Sequence, residues 1–300
     1  MSLSAVKPLV TVLIPAYNAG PYLRDTLASV QRQGVDELEI LVIDDGSTDE
    51  TAAVLAGFDD PRLRVVRQPN TGLVGALNRG LDEARGVYLA RLDADDEMPS
   101  DRLAAQLEAM ARDPELLVLG TDYEAYGDAE FRVRMPRSDR ACRQRLAFGS
   151  CHCGASVMIR RDRLAATGLR FDPAYRHAED YRMWCELSEY GRLGNLPMVG
   201  YRYRIHAGQV SSLFVDEQRA THLRIAAEHA SRTGRRPIAE ADLRALLWPS
   251  PPSRPGAVAA GRSLLSLTGP LVRAGRSAPS VEGLRFLGRK AYEAAAGALR

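Results

Sequence analysis

Over its first ninety residues the chain alternates short apolar, β-branched runs with amphipathic segments, and no other feature limits its fold as much. "LVTVLIP" (9–15), "ELEILVID" (37–44), "LRVVRQ" (63–68) and "VYLARLD" (87–93) have strand composition without polar alternation, as strands buried on both faces do. Between them, "PYLRDTLASVQRQG" sets Leu23, Leu27 and Val30 at helical spacing and stops at Gly34. "STDETAAVLAGF" predicts a helix capped by Ser47 or Thr48, and "GLVGALNRGLDEARG" (72–86) a helix bounded by glycines. Strand–helix alternation predicts an α/β fold, a mostly parallel sheet with helices on both faces, whose ligands bind at the carboxyl ends of the strands. Three polar clusters fall at such ends, "AYN" (16–18), "DDGSTDE" (44–50) and "DADDE" (93–97), so they are expected to share one crevice.

Beyond Pro99 the pattern continues with a capped helix, "SDRLAAQLEAMARD", and a strand, "LLVLG" (116–120). Residues 122–147 suggest a hairpin and a basic helix, and "GASVMIRRDRLAATG" (154–168) a strand and a short helix. "AEDYRMWCELSEYG" (178–191) is expected to be a helix with its acids in the first turn, where the helix dipole favours them. The main domain is expected over 1–215, with a first half at about 1–100 and a second at about 101–215. Residues 216–300 then form a helical, basic extension, broken by the proline-rich linker "WPSPPSRPG" (248–256).

The cluster Asp93 to Glu97 packs four carboxylates into five positions, at a cost in like-charge repulsion. A calcium loop counted from Asp93 would need glycine sixth and glutamate twelfth; the chain has Met98 and Ala104. A dinucleotide fold needs G-x-G-x-x-G after the first strand, where "PAYNAGPYL" has only Gly20, and a P-loop needs a lysine that the chain lacks between 8 and 289. A solvated acidic turn explains the charge but not its place beside two other polar strand ends. The remaining reading is a divalent cation gripped by one or two carboxylates together with a phosphate-bearing ligand.

"VLIPAYN" (12–18), "VIDDGSTDET" (42–51), "NTGLVGALNRGLDEARGVYLARLDADDEMPSDRL" (70–103), "SVMIRRD" (156–162) and "AEDYRMW" (178–184) together resemble family 2 glycosyltransferases of the GT-A fold. The resemblance covers about 1–210, with its motifs in family order. It implies a hexosyltransferase-like enzyme that moves sugar from a nucleoside diphosphate donor, UDP by family tendency, with inversion and with Mn²⁺ or Mg²⁺ assisting. Asp93 and Asp95 would then contact donor ribose and metal, with Asp96 sharing the metal role and His206 as a further contact. Arg204 would meet phosphate charge. Asp45, with Asp44 as the adjacent alternative, would accept from the base's imide, Tyr17 would lie against the base, and Pro15 would shape the turn beneath it. Asn78 and Arg79 would face the donor. Asp180 would be the general base, with Glu179 orienting the acceptor, while Trp184 either stacks on sugar or fills the core. Many relatives carry His-Pro where this chain has Gly154 and Ala155, so the acceptor is the least transferable inference. A nucleotidyltransferase and a nucleotide-sugar-binding protein without catalysis are the competing readings; "PAYNAGP" argues against the first and intact Asp93, Asp95 and Asp180 against the second.

The net charge of +2 hides an asymmetry: residues 1–200 carry 24 basic and 31 acidic side chains, residues 201–300 carry 16 and 7. A basic tail invites peripheral contact with the inner face of a membrane, where lipid-linked glycan acceptors reside, or packing against a second copy. Nucleic acid is a poor partner for an acidic crevice and a tail with few aromatics. The four cysteines fit no zinc or disulfide spacing, and "CHC" (151–153) lacks a fourth ligand at matching distance. With no run of membrane-spanning length, the expectation is a cytoplasmic protein.

Overall fold

The computed structural model describes residues 7–206, 208–209, 214–233, 240–241 and 244. The proline-rich linker and the basic tail lie outside the described residues. Eight strands form one sheet: β1 (Val10–Ala16), β2 (Leu38–Asp44), β3 (Leu63–Arg67), β4 (Tyr88–Arg91), β5 (Leu116–Gly127), β6 (Phe131–Val133), β7 (Met158–Arg160) and β8 (Arg192–Ile205). The order is β3-β2-β1-β4-β7-β5-β6, with β8 parallel to β5 along its length. The first four strands are parallel and β7 is antiparallel to both neighbours, so the alternating half behaves as its sequence predicts.

Period-two alternation sends neighbouring side chains to opposite faces. Leu13, Leu41 and Ile43 enter one core with Leu77 and Trp184, whereas Val12, Ile14, Ile40 and Val42 enter the other with Leu23 and Leu27. Both faces are therefore covered, the first by α3 (Gly72–Glu83) and α7 (Glu179–Leu187), the second by α1 (Gly20–Gln31) and α4 (Arg102–Arg112). Leu23, Leu27 and Val30 of α1 are wholly buried, each worth roughly 1.5–3 kcal/mol. Trp184 is wholly buried and packed edge-on to His152 at 5.5 Å, so it fills the core.

Three short helices complete the sheet domain, α2 (Thr51–Ala56), α5 (Asp139–Arg145) and α6 (Arg161–Thr167). The strand at "LLVLG" runs on to Gly127 and forms the expected hairpin with β6. The helix α8 (Val215–Arg232) docks on α7, where Glu228 accepts from Tyr175 Oη at 2.6 Å and from Arg182 at 3.2 Å. Strand β8 has no forecast in the sequence, because Gly194, Pro197 and Gly200 weaken its strand signature and its pairing slips register near Thr121 and Asp122. No helix among the described residues is long and apolar enough to cross a membrane.

Candidate active site

Parallel pairing of β2, β1 and β4 brings the three polar clusters to one edge of the sheet. In the turn after β2, Gly46 adopts φ +77°, and an added Cβ would lie 2.8 Å from Asn70 N, so only glycine fits. Asp44 and Asp45 are buried on either side of this geometry. Asp45 Oδ1 accepts from Thr71 N (2.9 Å), Thr71 Oγ1 (3.0 Å) and Gln68 Nε2 (2.7 Å), and Oδ2 accepts from Gly72 N (2.8 Å). It therefore caps α3 across the crevice floor. Asp44 takes Ser47 N at 2.9 Å and lies 3.4 Å from Arg67 Nε.

The turn after β1 interlocks with this one. Asn18, in the left-handed region at φ 50°, donates its N–H to Ser47 Oγ (3.0 Å) and accepts Thr48 N on Oδ1 (2.9 Å). Ser47 and Thr48 thus lace two loops together and do not cap α2, whose first N–H, Thr51 N, donates to Asp49 at 3.0 Å. Pro15 is buried in β1 and Tyr17 is 53% exposed at the crevice rim.

The "DADDE" turn is the electrostatic opposite. Asp93 accepts from Arg91 Nη2 at 3.0 Å, and Asp95 Oδ2 lies 3.1 Å from His206 Nε2. Asp96 turns inward: Tyr201 Oη donates to Oδ2 in a short bond and Arg204 N donates to Oδ1 at 2.6 Å. Burial, then Asp95 and Asp93, push its carboxyl up to about 9. Burial and Asp93 also raise Asp95, with His206 opposing. Asp96 was expected to share the metal, yet both its oxygens face protein donors and it is 1% exposed; it anchors β8 beneath the cluster instead. Arg204 is engaged as well, with Nε on Asp95 O at 2.9 Å and its guanidinium over Tyr22 and Tyr126.

Among the described residues no three His, Cys, Asp or Glu side chains converge as a preformed cage. Half-buried Asp93 and Asp95 nevertheless present hard oxygen donors that repel each other, which suits a Mg²⁺- or Mn²⁺-type ion that completes its shell with phosphate and water.

Asp180 opens α7 with Oδ1 accepting Tyr181 N at 2.6 Å, and Oδ2 rests against Gly154. A Cβ on Gly154 would sit 2.4 Å from Oδ2 and 3.0 Å from Arg91 Nη1. Burial raises the carboxyl of Asp180 while Arg91 opposes the rise. Burial and then Asp180 push Glu179 up to about 7, again opposed by Arg91. Arg91 is therefore one buried cation facing Asp93, Glu179 and Asp180, which keep it charged despite its burial. Arg102 holds it from below, donating Nη2 to Arg91 O (2.9 Å) and Val157 O (3.2 Å).

Sequence reasoning missed Arg91 and Tyr201. A lone charge inside the apolar run "VYLARL" signals the first; nothing local signals the second, which depends on the unforeseen strand β8. Asn78 is a correction. Its amide donates to Phe171 O (2.8 Å) and accepts Phe171 N (3.0 Å), so it fastens α3 to the 170s segment rather than facing a donor. Arg79 pairs with Glu83 at 2.7 Å on the outer face of α3.

The family model for glycosyl transferase family 2 matches residues 11–165. An uncharacterized glycosyltransferase of Haemophilus influenzae is 34% identical over 240 residues, 74% of this chain and 73% of that one. A chondroitin synthase of Pasteurella multocida is 29% identical over 75% of this chain, which spans only 23% of that protein. In fold the chain resembles S. aureus TarS 1-349 in complex with UDP-GlcNAc (TM-score 0.61, 17% identity, 97% of this chain and 90% of that one). It also resembles the mannosyltransferase PcManGT from Pyrobaculum calidifontis in complex with GDP-Man and Mn²⁺ (TM-score 0.60, 22% identity, 97% and 81%). With just over half its length matched by the family model and a relative at 34% identity over 74% of the chain, this chain belongs to glycosyl transferase family 2.

Proposed function

We propose that the chain transfers a sugar with inversion from a nucleoside diphosphate sugar, UDP-linked, to a hydroxyl of a glycan acceptor. The observation that carries this is the pairing, across one buried guanidinium, of an acid cluster suited to a diphosphate's cation with a separate carboxylate suited to base chemistry. Asp93 and Asp95 hold the cation, with His206 beside Asp95; when bound, Mn²⁺ or Mg²⁺ acts as the Lewis acid that offsets charge on the departing diphosphate.

The nucleotide lies along the edge built by the first two turns. Tyr17, exposed at the rim, offers its ring to the base, and Pro15 fixes the strand end below it. Asp45 is rigidly held by four donors, and Oδ2, with one of them, keeps acceptor capacity for the base's imide. Asp44 braces the turn through Ser47. Asp180 takes the acceptor hydroxyl's proton on Oδ2 while Tyr181 N–H fixes its orientation through Oδ1. Its raised carboxyl brings it nearer neutrality, the range in which a general base works best. The polymer-forming activity named for the P. multocida relative supports a glycan acceptor.

Calorimetric titration of UDP, TDP and GDP, with and without Mn²⁺, into wild-type protein and Asp95→Asn tests this reading. Metal-dependent binding of UDP that disappears in the variant is expected. Folded protein that binds none of the three nucleotides overturns it.

A further inference from the structure

Only two non-glycine residues among those described adopt positive φ, Asn18 and His177. Asn18 belongs to the nucleotide edge. His177, at φ 66°, stands three residues before Asp180, and such a conformation costs about 1–3 kcal/mol unless the surroundings impose it. The surroundings here are a single turn of chain. The Phe214 ring stacks on the His177 imidazole at 4.6 Å and 12°. Glu217 Oε2 lies 3.6 Å from His177 Nε2, and Gln218 Nε2 donates to His177 O at 3.0 Å. Positions 214, 217 and 218 share one helical face, so the start of α8 grips ring and backbone together.

We infer that this turn is a clamp that sets Asp180: His177 is a positioning residue for the transfer reaction, and Phe214 and Gln218 hold it in place. The inference rests on the proposed role of Asp180. From the clamped residue the chain passes through Ala178, whose N–H is fixed by Tyr175 O at 3.0 Å, directly into the first turn of α7. Releasing His177 lets that backbone relax to negative φ and swings the α7 entry, carrying Oδ2 of Asp180 away from Gly154. The far end of α8 is docked independently through Glu228 on Tyr175 and Arg182, so loss of the clamp leaves the helix attached. Phe214 is 38% exposed, and its truncation opens no core cavity.

The test uses the full chain with Phe214→Ala plus Gln218→Ala, the restoring variant Phe214→Tyr, and His177→Gly, which accepts positive φ without the ring. Three quantities are read: hydrogen exchange over 176–182, Mn²⁺-dependent UDP affinity, and nucleotide release from UDP-GlcNAc, UDP-glucose and GDP-mannose. In the double variant, exchange over 176–182 is expected to rise at least tenfold. Its kcat is expected to fall on the order of tenfold to a hundredfold, with UDP affinity and donor KM within about twofold. Phe214→Tyr is expected to match wild type, and His177→Gly to lose kcat as the double variant does. Wild-type exchange and kcat in the double variant overturn the clamp and leave the transferase reading intact. An equal loss of UDP affinity and kcat reduces the contact to a structural one and overturns positioning. Wild-type protein that binds no nucleotide removes the transferase reading, and the positioning role with it.

Discussion

The crevice is lined by two acid clusters, one buried and one half-buried, that solve the same problem in opposite ways. Asp45 accepts four hydrogen bonds from neutral donors, three from Thr71 and Gly72 at the start of α3 and one from Gln68. Around Asp93 to Asp96 the donors Arg91, His206, Tyr201 and Arg204 are joined by neighbouring carboxylates, and burial together with that crowding raises the carboxyls of Asp95 and Asp96. The first cluster is met by fixed neutral donors; the second keeps its mutual repulsion. Acids held by neutral donors and acids crowded by one another thus lie at the ends of β2 and β4, on either side of β1, and their partners rather than their density tell them apart.

The comparison breaks most visibly in catalysis. Asp180→Asn is expected to lower turnover by about 10²–10⁴-fold while Mn²⁺-dependent nucleotide binding, measured by calorimetry, changes less than twofold. A matching loss of binding would place Asp180 with the donor acids instead. In stability the two clusters should diverge in sign. Asp45→Ala is expected to cost about 2–4 kcal/mol in urea unfolding, because it orphans backbone donors at a helix start. Asp95→Asn, without metal, is expected to cost nothing or to raise Tm by about 2–4 °C, because it relieves repulsion. If both destabilise alike, the contrast fails.

A smaller effect sharpens the comparison through pH. Glu179, lifted from 4.5 to about 7 by burial and Asp180, holds its proton more tightly folded than unfolded. Its contribution to stability is therefore complete below about pH 4.5 and is lost as pH rises towards 7. Glu179→Gln should raise Tm at pH 7.5 relative to wild type but not at pH 4.5, as read by thermal unfolding across that range. The smallest expected change is at His206: His206→Ala should weaken Mn²⁺-dependent UDP binding about tenfold, as loss of a residue that orients a metal ligand does.

How much of this was legible depends on the range of the interactions. The alternating half could be read because each strand and helix carries its own period, and Gly46 and the acids announce their turns locally. Its position at a strand end marks Asp45 as a binding candidate, but its bonds to the start of α3 depend on Thr71 and Gly72, 26 and 27 residues on. The inward turn of Asp96 was not legible, since its partners Tyr201 and Arg204 sit on β8, 105 and 108 residues away. Asn78 was read by residue type alone, and type does not reveal that Phe171 takes both ends of its amide. His177 gave no signal, because a strained φ is a property of the contacts that impose it.

The bare backbone at Gly154 sets a limit on re-engineering. A methyl group there already overlaps Asp180 Oδ2 and crowds Arg91, so a library varied at this position displaces the proposed base before it alters acceptor preference. Diversity meant for the acceptor belongs on the segments around it, and the residue with no side chain is the one a designer should leave alone.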